Sequence, residues 1–249
     1  MISVIIPCYN HGKYVKETVE AVLASSYRPL EIIIVDDGST DDSRVVGEEL
    51  SQEFQEVTYV YQKNAGPSAA RNNGISKAQG TYILALDADD LISAAYIEEA
   101  IRVLENDPQV KVVYAEAEKF GSIQKKWKLK KYSPRRLAKD NMIYVSAVYR
   151  KADWERVGGY TDEHVLVRED WEFWIKVLKD GGGVVCLPFV GFYYRIHENS
   201  RRKSMSKAKK NDEIDYLNTK HLDFFKSQLG GPLRKNRSWS RFINFFIKD

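Results

Sequence analysis

The sequence predicts an α/β fold: a mostly parallel sheet flanked by helices, followed by a less regular second half. Three observations predict it. Short apolar, β-rich runs alternate with helix-spaced segments through residues 1–105. Carboxylates follow directly on two of those runs. A hydrophobic fraction of 43% in 249 residues is enough for a sizeable core.

In chain order, Ile2 to Ile6 is the first strand, ended by Pro7. Val15, Val19, Val22 and Leu23 have helical spacing within a helix from Tyr14 to Leu23. Glu31 to Val35 is a strand apolar on both faces, as in the middle of a parallel sheet. Ser39-Thr40-Asp41-Asp42 reads as a helix start rich in capping side chains. Val57 to Tyr61 is the third strand, Ser68 to Ala78 a helix capped by Ser68, Tyr82 to Leu86 the fourth strand, and Ala94 to Leu104 a helix. This β-α-β-α rhythm places the strand C-termini on one edge, where open α/β sheets bind ligands. Beyond it, Val110 to Tyr114 and Ile143 to Tyr149 read as strands, with the basic stretch Lys119 to Lys139 a loop or edge excursion between them. A short helix Ala152 to Val157, a turn at Gly158-Gly159-Tyr160 and a helix Trp171 to Leu178 follow. The Gly181-Gly182-Gly183 turn leads into short strands Val184 to Leu187 and Gly191 to Arg195; because it precedes a strand rather than a helix, it is not a phosphate loop.

The formal net charge of +3 gives no reason to expect a nucleic-acid partner. Two distant cysteines, Cys8 and Cys186, form neither a disulfide framework nor a metal-ligand spacing, which suits a reducing cytoplasm. The N-terminus lacks a basic n-region, and no run approaches the roughly 18 apolar residues of a membrane span. Basic residues cluster locally. Arg201, Arg202, Lys203, Lys207, Lys209 and Lys210 form an acid-free run, and Arg234, Lys235, Arg237 and Arg241 lie among Trp239, Phe242, Phe245 and Phe246. That tail reads either as an interfacial segment against anionic lipid or as a solvated tail or packed helix.

The chemistry-bearing residues stand at strand ends. Asp36-Asp37 follow the second strand, and Asp87, Asp89 and Asp90 follow the fourth. Like charges gathered on one edge need a cation or hydrogen-bond donors to compensate them, and Asp-x-Asp suits a hard divalent ion bridging to phosphate. A solvated, helix-capping turn is the alternative. Arg71, early in the helix after Gly66-Pro67, could serve an anion or a base edge, or form a surface ion pair. Glu169-Asp170 opens a helix, either as favourable first-turn charge or as a general base. His197, after Tyr194-Arg195-Ile196, reads as a structural histidine before a ligand, and Arg195 with the late basic run offers a diphosphate contact.

Together these blocks resemble glycosyltransferase family 2 with its GT-A-type fold. The resemblance rests on Ser3-Val4-Ile5-Ile6-Pro7-Cys8-Tyr9-Asn10, Ile33 through Asp41, Asn64-Ala65-Gly66 through Gly74, Leu86-Asp87-Ala88-Asp89-Asp90, Glu169-Asp170, and Tyr194-Arg195-Ile196-His197 with Ser200. It implies one domain over 1–205, with a nucleotide-sugar-binding half (1–105) and an acceptor-binding half (106–205), and a basic, aromatic extension over 206–249. It implies an inverting, metal-dependent hexosyltransferase-type enzyme acting on a nucleoside-diphosphate sugar, a UDP-sugar first among them. The acceptor would be a carbohydrate or lipid-linked hydroxyl in surface polysaccharide or glycolipid synthesis. Pro7, Tyr9, Asp37, Arg71 and Asp87 would bind the nucleotide. Asp89 and His197 would hold Mn2+ or Mg2+. Asp170 would be the catalytic base, with Glu169 beside it. The expected location is cytoplasmic, with a peripheral contact at the inner face of the membrane through the C-terminal segment as one reading. The processive members' Gln-x-x-Arg-Trp motif is absent, which points to single transfers. The alternatives are a catalytically silent nucleotide-sugar-binding module, or a nucleotidyltransferase, which would normally carry a glycine-rich basic loop after the first strand. A dinucleotide-binding oxidoreductase is excluded by the missing Gly-x-Gly-x-x-Gly.

Overall fold

The computed structural model describes residues 1–162, 166, 168–197 and 206–247. The first half is β1 (Ile2–Cys8), α1 (Gly12–Leu23), β2 (Leu30–Asp36), α2 (Ser43–Glu53), β3 (Val57–Tyr61), α3 (Pro67–Lys77), β4 (Tyr82–Ala85), β5 (Leu91–Ile92) and α4 (Tyr96–Asn106). The second half is β6 (Val110–Gly121), β7 (Lys125–Trp127), α5 (Pro134–Leu137), β8 (Val148–Arg150), α6 (Lys151–Val157), α7 (Glu169–Leu178) and β9 (Gly183–Ile196). The chain then forms α8 (Lys207–Leu229), a 3-10 turn (Arg237–Trp239) and α9 (Ser240–Phe246).

One mixed sheet runs β3-β2-β1-β4-β8-β6-β9-β5, with β7 pairing β6. β3, β2, β1 and β4 are parallel, as the sequence rhythm requires. β8 is antiparallel to both β4 and β6, and joins this parallel block to the β6–β9 pair. The central strands are buried on both faces: Val4, Ile5 and Ile6 of β1 and Ile32 and Ile34 of β2 are inaccessible to solvent.

Several elements differ from the sequence reading, each for a physical reason. Pro7 does not end β1, which pairs with β2 through Cys8↔Asp36. Pairing with β4 stops at Ile5↔Ala85, so at Pro7 the strand has one neighbour and a missing N–H is tolerated. β6 continues past Tyr114 to Gly121 because buried Ala115 and Ala117 alternate with outward Glu116 and Glu118. β7 and α5 then occupy part of the stretch read as a loop. The two short strands after Gly183 are one strand, β9. Its register against β6 jumps from Ala115↔Leu187 to Glu116↔Val190, and Pro188 lies in the irregularity that breaks the apolar pattern. Of the strand expected over 143–149, only Val148 and Tyr149 belong to β8. Ile143 and Tyr144 are buried outside the ladder, and the Tyr144 hydroxyl bonds the backbone of Ala115.

The expected caps also serve other partners. At the start of α2 Asp41 Oδ1 accepts from the Ser43 N–H, while its Oδ2 accepts from the Gly12 N–H and Ser39 from the Asn10 N–H, tying this turn to the β1–α1 loop. α3 starts at Pro67 behind Gly66, which holds φ at +93°, so Ser68 lies inside the first turn.

The extension is no solvated tail. α8 buries Ile214, Leu217, Phe224 and Phe225, and its Glu213 and His221 bond Arg168 and Glu172 around α7. No helix among the described residues is long and apolar enough to cross a membrane. Ser200 and the basic residues Arg201, Arg202 and Lys203 lie outside the described residues.

α3 approaches the sheet closely at Gly74, where an added Cβ would lie 2.4 Å from Ile5 Cγ2 and 3.0 Å from Val35 Cγ2. Gly74→Ala gains about 1 kcal/mol of helix propensity but overpacks a site whose neighbours are themselves core side chains, at a cost of about 1–3 kcal/mol. A net loss of stability in urea denaturation is expected. A variant more stable than the parent would show that α3 can lift off the sheet freely.

Candidate active site

The strand ends build the floor of the site. Asn10, in the left-handed region at φ 56°, turns the chain after β1 and accepts the Thr40 N–H at 2.8 Å, which fixes the loop carrying Tyr9 and His11. Tyr9 is about half exposed. Asp36 and Asp37 are buried at the end of β2. Asp36 accepts from the Tyr59 hydroxyl (2.7 Å) and the Ser39 N–H (2.8 Å). Asp37 accepts from Gln62 Nε2 (2.7 Å) and from the N–H groups of Ala65 and Gly66 (2.8 Å each), so it shapes the loop entering α3.

Arg71 stands at the centre. Its guanidinium, on a side chain only 4% exposed, donates to Asp87 Oδ1 at 2.8 Å and to Glu169 Oε1 at 2.6 Å. It is therefore no surface ion pair. It joins an acid from the β4 end to an acid from the start of α7, so these two sequence-predicted acidic groups meet at one guanidinium. Asp170, the next residue, accepts from Asn141 Nδ2 (2.6 Å) and from the Trp171 N–H (2.9 Å). Burial, then the neighbouring Glu169 charge, push its pKa up to about 7, against the opposing pull of Arg71.

Asp89 and His197 also meet, Oδ2 to Nε2 at 2.7 Å. His11, not anticipated from the sequence, completes a trio whose potential ligand atoms all lie within 4.8 Å of one another, its ring stacked against His197 at 6.2 Å between centroids. Among the described residues this is the only His/Cys/Asp/Glu group with such spacing. Two imidazoles and a carboxylate converging on one partly exposed point suit a divalent cation. The expected diphosphate contact from Arg195 finds no support here. Its Nε donates to the Asp89 carbonyl at 2.8 Å, its Nη2 pairs with Glu17, and its guanidinium lies over the rings of Phe120 and Tyr14. The Arg195 N–H also donates to Asp90 Oδ1 at 2.8 Å. Arg195 thus fastens the end of β9 to the Asp89-Asp90 turn and sets His197 beside Asp89. Asp90 is buried, and desolvation together with Asp89 and Asp87 raises its pKa from the ordinary carboxylate value.

Sequence reasoning missed His11 and Asn141. A lone histidine three residues past a strand end was a weak signal for the first. Asn141, in an irregular stretch, carried none.

The architecture with its acid-lined strand edge is a GT-A-type fold. Residues 3–171 match the profile of glycosyl transferase family 2, and the chain belongs to that family. TuaG of Bacillus subtilis (strain 168), a glycosyltransferase named for teichuronic acid biosynthesis, is 28% identical over 233 residues, covering 91% of each chain. Glycosyltransferases of Streptococcus pneumoniae and Rickettsia felis match at 39–43% identity, but this chain spans only 14–37% of their lengths. Among solved structures, Staphylococcus aureus TarS 1-349 in complex with UDP-GlcNAc aligns with a TM-score of 0.75 at 19% identity, over 99% of this chain and 75% of that one. The mannosyltransferase PcManGT of Pyrobaculum calidifontis, in complex with GDP-Man and Mn2+, aligns with a TM-score of 0.66 at 18% identity, over 97% of this chain and 69% of that one.

If the trio holds a cation, His11→Ala, Asp89→Asn and His197→Ala will each weaken Mn2+ binding in an isothermal titration of the nucleotide-free protein. Parental affinity in all three variants would rule the trio out as a metal site.

Proposed function

We propose that the protein is an inverting, single-transfer glycosyltransferase that moves a sugar from a nucleoside-diphosphate donor to an acceptor hydroxyl. The observation that carries this reading is the Arg71 bridge. It holds Asp87, two residues before Asp89, and Glu169, the residue before Asp170, whose pKa is pushed up to about 7. The acceptor oxygen bonds to the anomeric carbon on the face opposite the diphosphate, the carbon–oxygen bond to the diphosphate breaks, and Asp170 takes the acceptor proton. Its bonds from Asn141 and the Trp171 N–H hold the carboxylate in place for that transfer. Glu169, paired to Arg71, supports the acceptor side of the cleft.

Tyr9 offers its ring to the nucleobase, with Pro7 beside it. Asp37 and the loop it shapes complete the base pocket. Asp87 contacts the ribose while Arg71 stands behind it. UDP-sugars fit this assignment first. His11, Asp89 and His197 would hold a divalent cation, which when bound neutralises charge on the leaving diphosphate. Two imidazole donors favour Mn2+ over Mg2+, which takes oxygen ligands and keeps its waters. TuaG's name supports surface polysaccharide as the acceptor class.

Asp170→Asn should lower the transfer rate ~10²–10⁴-fold while leaving the donor dissociation constant within a small factor of the parent. Near-normal turnover would remove Asp170 from the mechanism. The parent's kcat/KM should rise with pH through an acid limb centred near 7, as Asp170 loses its proton. Stability should move the other way. The folded pKa lies above the unfolded one, so this group's contribution is most favourable below the ordinary carboxylate range and declines as pH rises to about 7. A thermal-shift screen of nucleotide sugars with Mn2+ would identify the donor. No stabilisation by any of them would overturn the donor class.

A further inference from the structure

α9 is amphipathic in the inverted sense. Its polar residues Ser240 and Asn244, four apart, are buried, and its aromatic residues face outward. Ser240 Oγ accepts the Arg234 N–H at 3.0 Å and donates to the Arg237 carbonyl. Asn244 donates to the Pro232 carbonyl at 2.9 Å and accepts from Arg234 Nε at 2.7 Å. These bonds fix which face looks out. Trp239, Phe242, Phe245, Phe246 and Ile247 are left between 51 and 73% exposed. Their rings touch in series: Trp239–Phe242 at 5.5 Å, Phe242–Phe246 at 5.0 Å and Phe245–Phe246 at 5.2 Å between centroids. Scattered exposed apolar residues need no explanation, but a contiguous aromatic cluster held outward by buried polar anchors does.

The charge around the cluster selects its partner. Residues 233–247 contain Arg234, Lys235, Arg237 and Arg241 and no acid. Lys235 and Arg241 are exposed and pair with no carboxylate among the described residues. A second copy of the same cationic face would be repelled. An anionic bilayer surface is attracted by the cations and accepts aromatic rings at the headgroup level. The face also adjoins the candidate site. Arg237 bonds Asp140 Oδ1 at 2.5 Å and the Lys139 carbonyl at 3.2 Å, and the next residue, Asn141, holds Asp170. Lys139 closes the acid-free basic stretch 119–139.

We propose that this C-terminal aromatic and basic face docks the protein on anionic lipid, with the acceptor side of the cleft beside the membrane. The test is co-sedimentation of the full chain with vesicles of phosphatidylglycerol and phosphatidylcholine in equal parts, and with vesicles of phosphatidylcholine alone. The parent should partition onto the anionic vesicles, less so at high salt, and negligibly onto the zwitterionic ones. Phe245→Ser with Phe246→Ser, and separately Lys235→Glu with Arg241→Glu, should each lower the partition coefficient about tenfold or more. All four side chains are exposed, so melting temperatures should stay at the parental value. Absence of parental binding, equal binding to both vesicle types, or unchanged partition in both variants would overturn the proposal. So would a dimer in light scattering that the Phe245→Ser/Phe246→Ser variant dissociates, which would assign the face to a second copy.

Discussion

The site depends on one buried cation. Arg71 projects from α3 with almost no access to solvent, and an isolated charge there would cost several kcal/mol in lost hydration. One carboxylate at contact distance returns about 4 kcal/mol at an effective dielectric near 20, and less where the partner is partly in water, as Asp87 is. A single partner leaves little margin, so the arginine needs both Asp87 and Glu169. That requirement closes the half carrying α3 and β4 and the half carrying α7 on each other, and the close packing of α3 at Gly74 sets where the guanidinium must sit.

The remaining acids of the cleft are balanced in different ways. Asp90 is buried and biased toward its protonated form, with its Oδ1 receiving the β9 backbone. Asp89 has His197 beside it. Asp36 accepts from the Tyr59 hydroxyl and the Ser39 N–H, and Asp37 from Gln62 and the loop entering α3. Asp170 has one amide and one backbone donor, and no direct cationic partner within the described ion pairs. Burial and Glu169 therefore decide its titration. One cluster thus yields acids with distinct properties from the same residue type, and only the environment separates them.

Behind α7 lies a second polar layer supplied by the C-terminal extension. Glu213 of α8 grips Arg168, the residue before the Glu169-Asp170 pair. His221, at a kink in α8, bonds Glu172 at 2.8 Å. Arg237 and Arg168 share Asp140. The segment that resembled nothing in the family motifs is part of the support of the candidate base, and its last helix carries the outward aromatic face.

The sequence by itself determined the four strands β1 to β4 and their parallel rhythm, most plainly in β2 and β4, where both-face burial leaves unbroken apolar runs and acids mark the strand ends. It also determined that Asp89, His197, Glu169 and Asp170 are candidates, since those residue types at strand and helix ends carry recognisable chemistry. Only the tertiary structure decided the second half. There β6 hides under outward glutamates, β9 under a proline at its irregularity, and residues 142–145 are apolar without being a strand. It alone decided that Arg71 is a buried bridge, that Arg195 is a fastener, and that His11 and Asn141 belong to the site. The physical reason is the same in each case. Local periodicity reports which face of a segment is buried, whereas the partner of a polar side chain is set by contacts between residues tens of positions apart, and no local pattern encodes those.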